Sequence, residues 1–160
     1  MENAQAITVK ETINREDEPA DLRVTRFGLP DINDLGMWLV SRLRPKFPHF
    51  QDNQLIAMFR ARVDSNECLF RRTKHAVAMA ELVHETMSPD TRIVERFVLV
   101  KDPKYVSEAV QLYDEILRWA NSIGAKEIAV CEFTDVPKAD IQTKLGRLYV
   151  RETIVAKVGK

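Results

Sequence analysis

The sequence offers little sulfur and little histidine from which to build a reactive centre. Two of its 160 residues are cysteines, Cys68 and Cys131, and three are histidines, His49, His75 and His84. There is no CxxC pair, no HExxH and no other spacing of zinc ligands, so no metal site is predicted. The cysteines lie far apart and read as buried thiols of a reducing compartment. No Ser/His/Asp or Cys/His arrangement has a spacing that argues for nucleophilic catalysis. No apolar run approaches the ~18 residues that a membrane-crossing helix needs, and the N-terminal residues form no apolar signal segment. The expectation is a cytoplasmic protein without a membrane partner. No charge prevails either, with 24 Lys and Arg against 24 Asp and Glu. That balance disfavours a strongly basic nucleic-acid binder and an acidic solvating chain alike.

What is present is the make-up of a soluble domain, 45% apolar and 30% charged, in a length that supports one core without disulfides or metal. The charge is uneven. Residues 1–21 hold Glu2, Glu11, Glu16, Asp17, Glu18 and Asp21 against Lys10 and Arg15, a net of −4 that leaves +4 to the remainder. With one short apolar stretch, Ala6–Val9, they read as a polar arm, free or ordered by a partner. Residues 22–160 read as the folded domain.

Within that domain Leu22–Phe27 alternates as a first strand. Pro30 opens a helix carrying Ile32, Leu35, Leu39 and Leu43, which stops before Pro45. Asp52 is placed to cap a second helix with Leu55, Ile56, Phe59 and Val63 on one side. Cys68–Arg72, Ala76–Glu85 and Arg92–Val100 read as an antiparallel meander, with turn chemistry at Met87–Asp90. The small residues Ala76, Ala78 and Ala80 suit a face packed against a helix. Asp102-Pro103 opens the longest helix, whose stripe runs through Val106, Ala109, Val110, Tyr113, Ile116, Leu117, Ala120 and Ile123 to a cap at Gly124. A strand Glu127–Phe133, a short helix Lys138–Leu145 and a last strand Arg147–Val158 complete the order. The fold class is therefore α+β: a mixed, mostly antiparallel sheet with helices on both faces. One parallel strand–helix–strand crossover joins Arg92–Val100 to Glu127–Phe133.

Two stretches carry a family resemblance. Phe97-Val-Leu-Val-Lys-Asp-Pro-Lys-Tyr105, leading to Trp119-Ala-Asn-Ser-Ile-Gly-Ala125, resembles the strand, the V-x-P-x-Y entry and the A-x-x-x-G-A exit of the GNAT N-acyltransferase superfamily. Lys144-Leu-Gly-Arg147 resembles that family's K-L-G-F. The resemblance spans Leu22 to Lys157 and implies the GNAT fold. It places an acyl-CoA site at Val100, Lys101, Val106, Ser107, Ala109 and Val110, where helix-start amides and small residues admit a pyrophosphate. The family's R/Q-x-x-G-x-G/A is absent, with Val106 for its basic or amide residue and Gln111 for its last small one. Lys101 or Lys104 could supply part of the missing charge. Gln142 stands where active members carry a proton-donating Tyr, and Asp135 matches a family Asn loosely. The resemblance thus implies a degenerate acyl-CoA site, akin to small bacteriophage GNAT-like proteins, some of them virion-associated. A virion assembled in the host cytoplasm is then a second possible location.

Glu95, on the central strand, and Glu132 are the candidate catalytic bases if the chain is active; otherwise both read as outward, solvated or ion-paired carboxylates. Arg60, Arg62, Arg71, Arg72 and Lys74 read as a basic face, extended by Arg42, Arg44 and Lys46. With few aromatics among them, nucleic acid is an unlikely ligand; a solvated or protein-facing surface, with Arg71 and Arg72 as contacts, fits better. Trp38, Phe47, Phe50 and Phe59 read as a core layer, or as interface anchors. Two functions compete. One is a non-catalytic binding or structural module needing no cofactor, with a protein partner or second copy meeting the arm or the basic face. The other is an acetyl-CoA-dependent N-acetyltransferase of unknown substrate.

Overall fold

The computed structural model describes residues 18–84, 91–125, 127–130, 133–145 and 149–152. Along the chain lie β1 (Thr25–Arg26), α1 (Leu29–Leu43), α2 (Asp52–Arg62), β2 (Cys68–Arg72), β3 (Ala76–His84) and β4 (Thr91–Val100). A 3-10 turn (Pro103–Tyr105) leads into α3 (Val106–Ser122), followed by β5 (Glu127–Val130), α4 (Lys138–Leu145) and β6 (Tyr149–Glu152). The strands form one sheet in the order β1-β2-β3-β4-β5-β6. The first three pairings are antiparallel and β4–β5 is parallel, joined by α3 as the sequence predicts. A second parallel pair, β5–β6, closes across α4.

Each face of the sheet is covered. On one, Ala76, Ala78 and Ala80 of β3 pack with Ala109, Leu112, Tyr113, Ile116 and Ala120 of α3. The small β3 residues let the helix lie close. On the other, Phe70, Val77, Met79, Phe97 and Leu99 meet Ile32, Leu35, Leu39 and Leu43 of α1 and Leu55 and Phe59 of α2. Burying each large side chain contributes roughly 1.5–3 kcal/mol. Phe59 is core, whereas Phe50 is half exposed.

Local chemistry sets the element ends. Gly28 N–H donates to Asp31 Oδ2 (2.7 Å) at the start of α1. The start of α2 differs from expectation: the cap is Gln51, whose N–H donates to Gln54 Oε1 (2.7 Å), while Asp52 is already helical and pairs with Arg44. β1 is also shorter than expected. Arg23 N–H turns back to Asp21 Oδ1 (3.1 Å), and Leu22 is exposed. The first strand therefore pairs only at Thr25 and Arg26, with Phe27 N–H still donating to Phe70 O. Residues 1–17, 85–90 and 153–160, which carry most of the expected arm, the expected turn at Met87–Asp90 and the end of the expected last strand, lie outside the described residues.

α3 ends on Gly124 at φ 70°. Gly124 N–H donates to Asn121 O and Ala125 N–H to Ala120 O, the paired bonds of a Schellman motif. Nothing lies within 4 Å of a Cβ built there, so Gly124→Ala costs only its backbone conformation. We expect a loss of about 1 kcal/mol in urea denaturation; an unchanged midpoint would contradict the motif's role.

Candidate functional site

The centre of the molecule is the C-terminal half of β4. Met79 pairs with Phe97 and Ala80 with Glu95, leaving Arg96 as the extra residue of a β-bulge. The β4–β5 ladder reaches Glu95↔Val130, the residue before the bulge. Beyond it, the edge of β4 is met by the segment Phe133–Asp135. Val98 N–H donates to Phe133 O (3.2 Å), and Val98 O accepts from Asp135 N–H (2.7 Å). Val100 N–H donates to Asp135 Oδ2 (2.8 Å), and Val100 O accepts from Arg42 Nη1 (3.0 Å). Arg42 in turn pairs with Asp135 at 3.1 Å. All four backbone groups on this edge are thus bonded within the chain.

The start of α3 is similarly occupied. Asp102 Oδ1 accepts from Lys104 N–H (3.0 Å) and Asp102 O from Tyr105 N–H (2.9 Å). Val106 N–H donates to Pro103 O. Three amides that a helix start offers to an anion are therefore taken, and a carboxylate already sits at the positive end of the dipole.

On the opposite side of this helix start lies a buried polar cluster. Glu108, in the first turn of α3, is fully buried. Its Oε1 accepts from His75 N–H (2.8 Å), and its Oε2 lies 2.6 Å from His75 Nδ1 and 3.2 Å from the Asp21 N–H that it accepts. Burial works to raise its pKa, but the hydrogen bonds it accepts, His75 among the donors, outweigh this and hold it below the ordinary carboxyl value. The His75 ring stacks on Tyr105 at 3.7 Å and 3°. A third polar centre is Glu81 on β3, which accepts from Arg62 (2.5 Å) and from the bulge residue Arg96 (2.6 Å). Burial again opposes, and the two guanidinium groups prevail, so Glu81 is also held low.

No family model matches the sequence, and no curated protein matches it. Solved structures do. One, a probable acetyltransferase, superposes with a TM-score of 0.60 at 13% identity, over 78% of this chain and 88% of its own. The aminoglycoside antibiotic 6'-N-acetyltransferase of Acinetobacter haemolyticus gives 0.55 at 14% identity, over 78% and 89%. The aminoglycoside N-acetyltransferase AAC(6')-Iy, solved with the bisubstrate analogue CoA-S-monomethyl-acetylneamine, gives 0.54 at 15%, over 79% and 90%. The chain has the GNAT fold.

Within the GNAT fold the predicted positions separate. Val100 is buried in the closed β4 edge, and Lys101 follows it, exposed, its N–H donating to His75 O. Val106, Ser107, Ala109 and Val110 all lie in the first turns of α3. Ala109 is fully buried beneath the sheet rather than facing solvent, and Val110 packs partly against the same core. Glu95 is not outward as the strand alternation suggests. It is fully buried on the α3 face, because a sheet covered on both sides leaves no solvent face at its centre. Burial, and then the charge of Glu95, push the neighbouring Tyr113 phenol up. Glu132 lies outside the described residues, as do Gly146 and Arg147 and the side chain of Gln142.

Arg71 and Arg72 are successive strand residues and project to opposite faces. Arg72 pairs with Asp31 (2.8 Å) of α1. Arg71 is half-buried, and burial lowers its pKa, with Glu115 of α3 countering. Arg62, Arg42 and Arg44 are each paired with an acid. Cys68 is half-buried, and desolvation, then Glu81, push its thiol up to about 12, which leaves no reactive thiolate. Among the described residues no group of three His, Cys, Asp or Glu could hold a metal ion, and no helix is long and apolar enough to cross a membrane. Sequence reasoning gave no place in this site to Arg42, read only as part of a basic face, or to His75 and Glu108. Of these only Glu108 left a signal, standing between Tyr105 and Leu112 on the helix face that is buried.

Proposed function

We propose that this chain is a GNAT-fold binding or structural module whose acyl-CoA site is closed by its own residues. The observation that carries the reading is the β4 edge. The resemblance puts the acyl-CoA at Val100 and the start of α3, and along that stretch of β4 Phe133, Asp135 and Arg42 bond every backbone group of Val98 and Val100. A cofactor pairing with β4 must first displace four hydrogen bonds. At about 1 kcal/mol net each, that is roughly 4 kcal/mol, or on the order of a thousandfold in affinity. The Asp102 cap adds an anion where a pyrophosphate would approach, and Glu95 is fully buried. The partner is a protein or a second copy.

Calorimetric titration of the full chain with acetyl-CoA tests this. We expect no binding at micromolar concentration. Micromolar affinity would overturn the reading in favour of an acetyl-CoA-dependent N-acetyltransferase.

A further inference from the structure

Residues 18–21 sit on the domain in a seat with several independent points of contact. Lys74 Nζ pairs with Glu18 Oε1. His75 Nε2 is buried and stands 3.3 Å from Glu18 Oε2. Tyr105 OH donates to Glu18 O (3.0 Å). Three residues on, Asp21 N–H donates to Glu108 Oε2 (3.2 Å). The seat therefore reads a carboxylate and a carbonyl at one position and an amide three positions later, and Pro19 between them narrows the backbone's choices.

The seat is built rather than incidental. Glu108 holds His75 twice, at its backbone N–H and at Nδ1, which fixes the ring with Nε2 turned toward Glu18. Tyr105 stacks on the same ring and brings its hydroxyl to the peptide carbonyl. Lys74 and then His75 hold the Glu18 carboxyl below its usual range, and Glu18 holds Lys74 above its own.

We infer that Lys74, His75, Tyr105 and Glu108 form a receptor for a short acidic peptide segment, and that residues 18–21 are its resident ligand. The inference goes beyond the closed acyl-CoA edge and does not use it. The partner it fits is an extended acidic segment, Glu followed three residues later by a free backbone amide. Such a segment enters only by displacing the arm, because a tethered ligand competes at high effective concentration. The arm is thus a built-in competitor for the chain's own docking site.

The test uses the full chain carrying Glu18→Lys, which sets a like charge against Lys74. Amide exchange at Asp21 should accelerate about tenfold or more, as expected for loss of a charge-assisted contact. The double variant E18K/K74E should slow it again. A labelled synthetic peptide of residues 14–24 should bind the E18K chain, bind the unmodified chain about tenfold or more weaker, and lose binding when its own Glu18 is Gln. Unchanged Asp21 exchange in E18K, or a peptide that binds neither chain, would overturn the receptor. Acetyl-CoA calorimetry is unaffected by either result, so this proposal and the closed-site reading fail separately.

Discussion

Replacing Glu108 by alanine will destabilise the protein by roughly 3–5 kcal/mol. The carboxylate is fully buried, and its removal leaves His75 N–H, His75 Nδ1 and Asp21 N–H facing an empty space. Each buried donor left without a partner costs about 1–3 kcal/mol. Glu108→Gln keeps the volume and loses the charge, and should cost less, about 1–3 kcal/mol. The pH dependence follows from the lowered pKa. A carboxylate held below its ordinary 4.5 contributes stability that is fully present above that pH. The contribution is lost as pH falls through the lower folded value. The urea midpoint of the unmodified chain should therefore fall on the acid side of pH 4.5, and in Glu108→Gln that fall should shrink. An alanine variant within 1 kcal/mol of the parent would show that the cluster is incidental.

The second large effect is expected at Phe70. Its ring stacks on Phe27 at 4.1 Å and 8°, and meets Phe59 and Phe97 edge-on at 6.2 and 6.0 Å. One side chain of β2 thereby ties the chain before α1, helix α2 and the central strand into one apolar layer. Phe70→Ala should cost roughly 3–5 kcal/mol as transfer and cavity terms add. Phe70→Leu restores much of the volume without the ring contacts, each about 0.5–1.5 kcal/mol, and should fall between. Equal urea midpoints for the leucine and alanine variants would show that ring geometry contributes nothing.

Elements with strong periodicity were legible in the sequence. The alternation of Ile93 to Val100, the α3 stripe and Gly124 are all local signals, and the parallel crossover follows from them. The stripe itself was rotated: Leu112 and Glu108 are buried, while Leu117 is half-buried and Ile123 exposed. Helical spacing fixes a face only to within a residue on either side. Glu95 was misread because alternation assumes one wet face, and here both are covered. The closed edge was not legible at all. Arg42 meets Asp135 across 93 positions, and His75 meets Glu108 across 33. No spacing rule reaches that far; only the sheet order brings these residues together.

That sheet order has a consequence for how the chain emerges from a ribosome. Strand order in space repeats strand order in time, from β1 to β6. The meander of β2, β3 and β4 can zip as soon as it is out, since few residues separate its strands in sequence. β4 then waits, one side bare, while the whole of α3 and β5 is synthesised, and its Val98–Val100 stretch waits longer still, for residues 133–135. A β-rich edge left open for that interval is a template for unwanted pairing with other nascent chains. The Arg96 bulge, twisting β4 just before that stretch, blunts the template during the delay.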